Sequence, residues 1–193
     1  SECLVGSEMC IRDRFINRVH LFNIDPVLKN HLLYSIITLM AIAMLFPITA
    51  FAQAYVQTWD LVDSGKHLDY DGNSTYMSYI NTGAATWNAY KSGVIRKDSA
   101  FVVEDVYVSD VNASNGWAGM TYSSGKIELN TYYMSGYSNS KKQNVATHEL
   151  GHALGLDHST STDVMDAAIT GHTSTQALSQ NDKDSYDAAY NNY

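Results

Sequence analysis

The sequence predicts one α+β domain behind a removable leader. Three observations carry that expectation. Apolar residues recur at helical spacing from Tyr76 to Tyr90, aromatic and β-branched runs lie between positions 101 and 131, and Ser179 opens a last helix with Asp182 three residues on. An apolar fraction of 45% against 17% charged is that of a chain that folds, which excludes wholesale disorder. A net charge of −8 argues against a nucleic-acid or anionic-membrane partner. The two cysteines, Cys3 and Cys10, cannot make a disulfide framework.

The opening SECLVGSEMCIRDR resembles a translated sequencing adapter, and residues 1–26 are read as a non-native or untranslated leader. No thiol chemistry is therefore built on Cys3 or Cys10. Residues 27–52 read as a signal peptide, with translation starting at Val27 or Leu28 through a non-standard start codon. Lys29 precedes the uncharged run LLYSIITLMAIAMLFPITAFA, which ends in Ala50-Phe51-Ala52, a small-x-small cleavage pattern. Pro47 breaks the apolar helix just ahead of that site. Cleavage after Ala52 predicts a secreted, extracellular, monomeric domain over residues 53–193; a membrane is involved only if the segment stays uncleaved. That domain holds eight Lys or Arg against sixteen Asp or Glu, and no Cys or Pro. It must rely on packing or on bound metal for stability.

The elements follow in order. Tyr55 to Leu61 is aromatic and β-branched, hence a first strand. A helix follows with Tyr76, Tyr79, Ile80, Gly83, Ala84, Trp87 and Tyr90 on one face, capped by Asn73, Ser74 or Thr75 and stopped by Gly93. Phe101 to Val108 reads as a strand, and Trp117 to Tyr122 with Gly125 to Thr131 as a pair around Ser123-Ser124. The last helix carries Tyr186, Ala189 and Tyr190 on one face. Asp69-Tyr70-Asp71-Gly72-Asn73 imitates the start of a calcium loop, but position 12 is Ile80, not an acid, so Ca²⁺ has no support and a polar capping turn is expected.

Chemistry concentrates in THELGHALGLDHS, Thr147 to Ser159. His148 and His152, four apart, project from one helical face and can reach the same ion. Glu149 lies beside the first ligand, placed to take a proton from water held there. Gly155 can adopt a positive φ, end the helix and let the chain double back to deliver His158 as third ligand. Three protein ligands leave the fourth position of a Zn²⁺ site open, which is the catalytic arrangement. Chance pairs of helical histidines are common. Here, however, three of the five histidines after Gln53 fall in one eleven-residue string whose other fixed positions, Glu149 and Gly155, fit the same roles.

The string H-E-x-x-H-x-x-G-x-x-H resembles the metzincin zinc segment. Gly151 between Glu149 and His152, and Ser159 after His158, resemble its matrixin branch. Asp163-Val164-Met165 resembles the Met-turn, and ALSQNDKDSYDAAY the closing helix of matrixin catalytic domains. The resemblance implies a zincin-type fold: a twisted mixed β-sheet, an active-site helix, a Met-turn with Met165 as an apolar floor under one catalytic Zn²⁺, and a C-terminal helix. It also implies an extended polypeptide substrate lying antiparallel to an edge strand, here Trp117 to Tyr122, with the loop from Asp166 to Leu178 walling a pocket. In size the domain is similar to small bacterial secreted proteases.

Several family features are missing. No cysteine-bearing latency segment lies between Ala52 and Tyr55, and Ala167 stands where some metzincins place a tyrosine. The structural-zinc histidines are not recognisable, as His67 is the only histidine between Gln53 and His148. His172 is expected on the surface beside the cleft, and Tyr132, Tyr133 and Tyr137 at its border. The function that follows is a secreted zinc endopeptidase with Glu149 as general base. The alternative is a non-catalytic zinc-containing secreted or surface-anchored binding protein, which would have no use for Glu149.

Overall fold

The computed structural model describes residues 25–43, 53–99 and 103–193, in two compact units, Ser1–Ala50 and Phe51–Tyr193. In the first, helix α1 (Pro26–Ala43) covers part of the expected signal segment. The adapter-like start, both cysteines and the residues around the expected cleavage site lie outside the described residues. Among the described residues no helix is long and apolar enough to cross a membrane.

The second unit holds five strands: β1 (Leu68–Gly72), β2 (Ile95–Lys97), β3 (Val106–Val111), β4 (Gly119–Tyr122) and β5 (Lys126–Asn130). They form one sheet in the order β2-β1-β3-β5-β4, parallel throughout except where β4 runs antiparallel to β5. Alternation explains which face is buried: Val106, Val108, Ile127 and Leu129 are buried, while Tyr107 and Glu128 between them are not. Among the described residues four α-helices, α2 (Met77–Asn88), α3 (Thr131–Met134), α4 (Asn139–Ala153) and α5 (Gln180–Tyr190), and one short 3-10 helix, Ile169–Gly171, complete the unit. Helices α2 and α4 pack on each other, and Trp87 Nε1 of α2 donates to the Thr147 carbonyl of α4 at 2.9 Å. Trp87 also meets Tyr186 of α5 edge to face, with ring centroids 5.5 Å apart.

Several expectations need correcting. Tyr55 to Leu61 is not a sheet strand. It is a strap that meets the end of α4: Gln57 N donates to Gly155 O, Asp157 N to Tyr55 O and Leu61 N to Ala153 O, with one isolated bridge between Val56 and Leu156. An aromatic, β-branched run is suited to extended backbone, but its composition does not say what it pairs with.

The Asp69–Asn73 turn is instead mostly strand β1. Asp69 is buried there because Arg96 on β2 reaches both its oxygens, at 2.9 and 2.6 Å, and Asp105 accepts from its amide. Charge in this strand hid it, and β2 is too short to show a period.

No side chain of Asn73, Ser74 or Thr75 caps α2 in the expected way, since the cap position is Tyr76. Asp110 of the neighbouring β3 instead fixes the turn ahead of the helix, accepting from Thr75 N at 2.9 Å and from the Ser74 and Thr75 hydroxyls. The strands expected at Phe101 and Trp117 begin at Val106 and Gly119, and Phe101 lies outside the described residues. The capping box of α5 is as expected.

Candidate active site

Helix α4 starts at Ser138, whose hydroxyl accepts from Lys141 N, and ends before Gly155 at φ +84°. That positive φ is accessible to glycine at little cost, and it turns the chain back over the helix end. His158 is thereby brought to the two helical histidines. Ring centroids are 4.7 Å apart for His148 and His152, 5.2 Å for His148 and His158, and 4.8 Å for His152 and His158. The ligand atoms of all three lie within 4.8 Å of one another, and the Nε2 atoms of His152 and His158 are 3.2 Å apart. Ligands at 2.0–2.1 Å in a tetrahedron stand about 3.3 Å apart, so this spacing suits zinc.

Backbone carbonyls face the Nδ1 atoms of the two helical histidines. His148 Nδ1 donates to Val164 O at 2.8 Å, which leaves its Nε2 lone pair for a metal, and His152 Nδ1 lies 2.8 Å from Leu156 O and 2.7 Å from Gln57 Nε2, so that a donor role toward the carbonyl frees its Nε2 in the same way. Burial, aided by the neighbouring histidines, pushes His148 down to about 3 and His152 down to about 4. Both rings are therefore neutral at pH 7, the form a metal ligand requires. The donor set fits zinc.

The supporting partners were not legible in the sequence. Gln57, on the strap, donates through Nε2 to the same Leu156 carbonyl at 2.7 Å. Asp182, the capping acid of α5, also accepts from Val164 N at 2.9 Å and Met165 N at 3.1 Å, clamping the turn that holds His148. Met165 itself is buried against Gly151 of α4. The capping box signalled Asp182 as a cap. Nothing signalled Gln57 or this second use of Asp182, because both depend on segments distant in sequence.

Glu149 is buried, and burial pushes its carboxyl up to about 7 against the opposing hydrogen bond from Thr121. It borders a cleft of about 380 Å³ with the three histidines, Ala118 to Thr121, Val145 and Ile169. Tyr133 and Tyr137 line the cleft as expected, while Tyr132 is exposed and packs edge-on to Tyr133. Ala167, Ile169 and Thr170 form part of the wall, in the expected loop. His172 turns to Asp166, with Nε2 and Oδ2 2.8 Å apart, and is not in the histidine cluster.

The sequence matches the family model of the matrixins over residues 50–191. Among solved structures, the crystal structure of myroilysin is similar, with 14% sequence identity and a TM-score of 0.46 over 74% of this chain and 93% of that one. No curated protein sequence matches. A family match that runs from the strap through the sheet, the histidine cluster and the last helix establishes kinship: the chain belongs to the matrixins, zinc-dependent metallopeptidases of the metzincin type.

Proposed function

We propose that the chain is a secreted zinc endopeptidase that cleaves extended polypeptides, with His148, His152 and His158 holding a single zinc and Glu149 acting as general base. The observation that carries this reading is a buried carboxyl beside three convergent histidines in an open cleft. Zinc, when bound, supplies Lewis-acid polarisation of the scissile carbonyl and brings the pKa of water to about 7. Glu149 takes a proton from the attacking water through its open oxygen and returns it to the leaving amine. Burial raises the proton affinity of this carboxyl, the direction that favours its acting as a base and then as an acid. Strand β4 ends the sheet, and its free edge can pair with an extended substrate backbone, leaving selectivity to the cleft walls. The signal segment supports export, and the domain acts as a monomer in this reading.

The test is cleavage of a peptide library by the purified protein, with and without a chelator, beside Glu149→Ala. Turnover should need zinc. The variant should lose roughly 10²–10⁴-fold in rate while still binding about one zinc per chain. Loss of zinc together with activity would make Glu149 a ligand instead. Zinc binding by the parent protein with no cleavage of any peptide would favour the binding-protein reading.

A further inference from the structure

Glu149 has a single side-chain partner among the described residues. Thr121 Oγ1, on β4, lies 2.7 Å from Glu149 Oε2 and 3.0 Å from the Glu149 carbonyl. Its one proton goes preferentially to the carboxylate, because a hydrogen bond to a charged acceptor is about twice as strong as a neutral one. Oε1 accepts no hydrogen bond from any described group. The same strand face carries Gly119, two residues earlier. A Cβ there would stand 2.5 Å from Oε1, 2.7 Å from Cγ and 2.8 Å from Cδ of Glu149. Real Cβ contacts do not reach such distances, so any side chain at 119 displaces the carboxyl.

We propose that the inward face of β4 is the seat of the base: Thr121 is a positioning residue that fixes the Glu149 carboxylate by its Oε2, and Gly119 is the space that Oε1 occupies. This rests on Glu149 being the base. A glutamate has three rotatable side-chain bonds, and one unanchored in a cleft this size would spend much of its time out of reach of water. Thr121 is stiff at χ1, so a bond from it fixes direction as well as distance. One oxygen is held and the other is free for the proton. The device has a functional logic. The free edge of β4 is where the substrate backbone pairs under the proposed mechanism, so four residues set the register of the peptide and the aim of the base together.

The experiment compares Thr121→Val, Thr121→Ser and Gly119→Ala with the parent full chain, measuring kcat and KM on one library-selected peptide, zinc content and unfolding midpoint. Valine keeps the β-branch and removes the hydroxyl; serine restores it. Thr121→Val should lower kcat roughly 10–100-fold with KM within about twofold and zinc retained, as expected for a lost bond to a charged group that acts in the transition state. Thr121→Ser should return kcat to within about threefold of the parent. Gly119→Ala should lower kcat in the same way. Should the valine variant fail to fold, Thr121→Ala, which adds no bulk, takes its place. A kcat within about twofold of the parent for the hydroxyl-free variant, or a loss that serine does not restore, overturns the proposal. Parent-like turnover by Glu149→Ala would instead overturn the reading of Glu149 itself.

Discussion

At Gly151 an added Cβ would collide with Met165 Sδ and stand 2.9 Å from Trp87 Cζ2, so α4 lies against the Met-turn only while that position is bare. Gly151→Ala should therefore destabilise the domain by about 1–3 kcal/mol, as overpacking does. Combined with Met165→Ala, which vacates the space, it should cost less than the sum of the two; additive urea midpoints would show that the contact is not limiting. Gly155 is constrained twice, by φ +84° and by a Cβ position 3.0 Å from Asp60 Cβ. Gly155→Val should weaken zinc binding almost as much as His158→Ala, while His172→Ala leaves it unchanged. Zinc titrations with the opposite order would place the third ligand elsewhere. Gly155 and His158 were legible because spacing along one helix and one turn carries their role, whereas Gly151 and Met165 stood out only through the matrixin resemblance. Thr121 and Gln57 were not legible, since a lone threonine or glutamine has meaning only beside the partner the fold supplies.

Among the elements, α5 does more than close the domain. Its capping acid Asp182 is fully buried and accepts from Ser179, Val164 and Met165 amides, tying the helix start to the turn whose Val164 carbonyl orients His148. Asp182→Ala removes a cap and strands buried amides, so it should cost about 3 kcal/mol or more in the zinc-free protein. It should also weaken zinc binding through His148. A loss under about 1 kcal/mol in denaturant unfolding would show that water replaces the carboxylate. The cap was readable because a capping box is local; its reach to Met165 is tertiary. The same distinction explains β1, whose buried Asp69 makes sense only once Arg96, 27 residues on, lies alongside. It explains the strap as well, an extended segment whose partner is a helix end nearly a hundred residues away.

For the whole molecule, the histidines tie stability to pH. In the zinc-free protein His148 and His152 refuse protons until about 3 and about 4, whereas the unfolded chain takes them near 6.5. The unfolded state thus binds more protons in that interval, and stability falls as pH drops below about 6.5. Glu149 acts in the opposite sense. Its folded carboxyl keeps a proton up to about 7 while the unfolded one releases it near 4.5, so its contribution declines as pH rises between those values. Two protons outweigh one. The melting temperature of zinc-free protein should decrease from pH 6.5 to pH 4, and a flat or rising profile would show that the rings titrate normally in the fold. The strap adds a consequence in time. Gln57 meets Leu156 across 99 residues, and the Tyr55 amide meets Ser185 across 130. Pairings so remote in sequence close late, after helices and adjacent strands have formed. In refolding followed by amide exchange, Asp157, whose amide bonds to Tyr55, should be among the last to gain protection. Because Asp182 of α5 holds the turn whose Val164 carbonyl orients His148, that ring too should be fixed only once α5 has docked, so on refolding zinc affinity should be gained late, with the Val164 and Met165 amides.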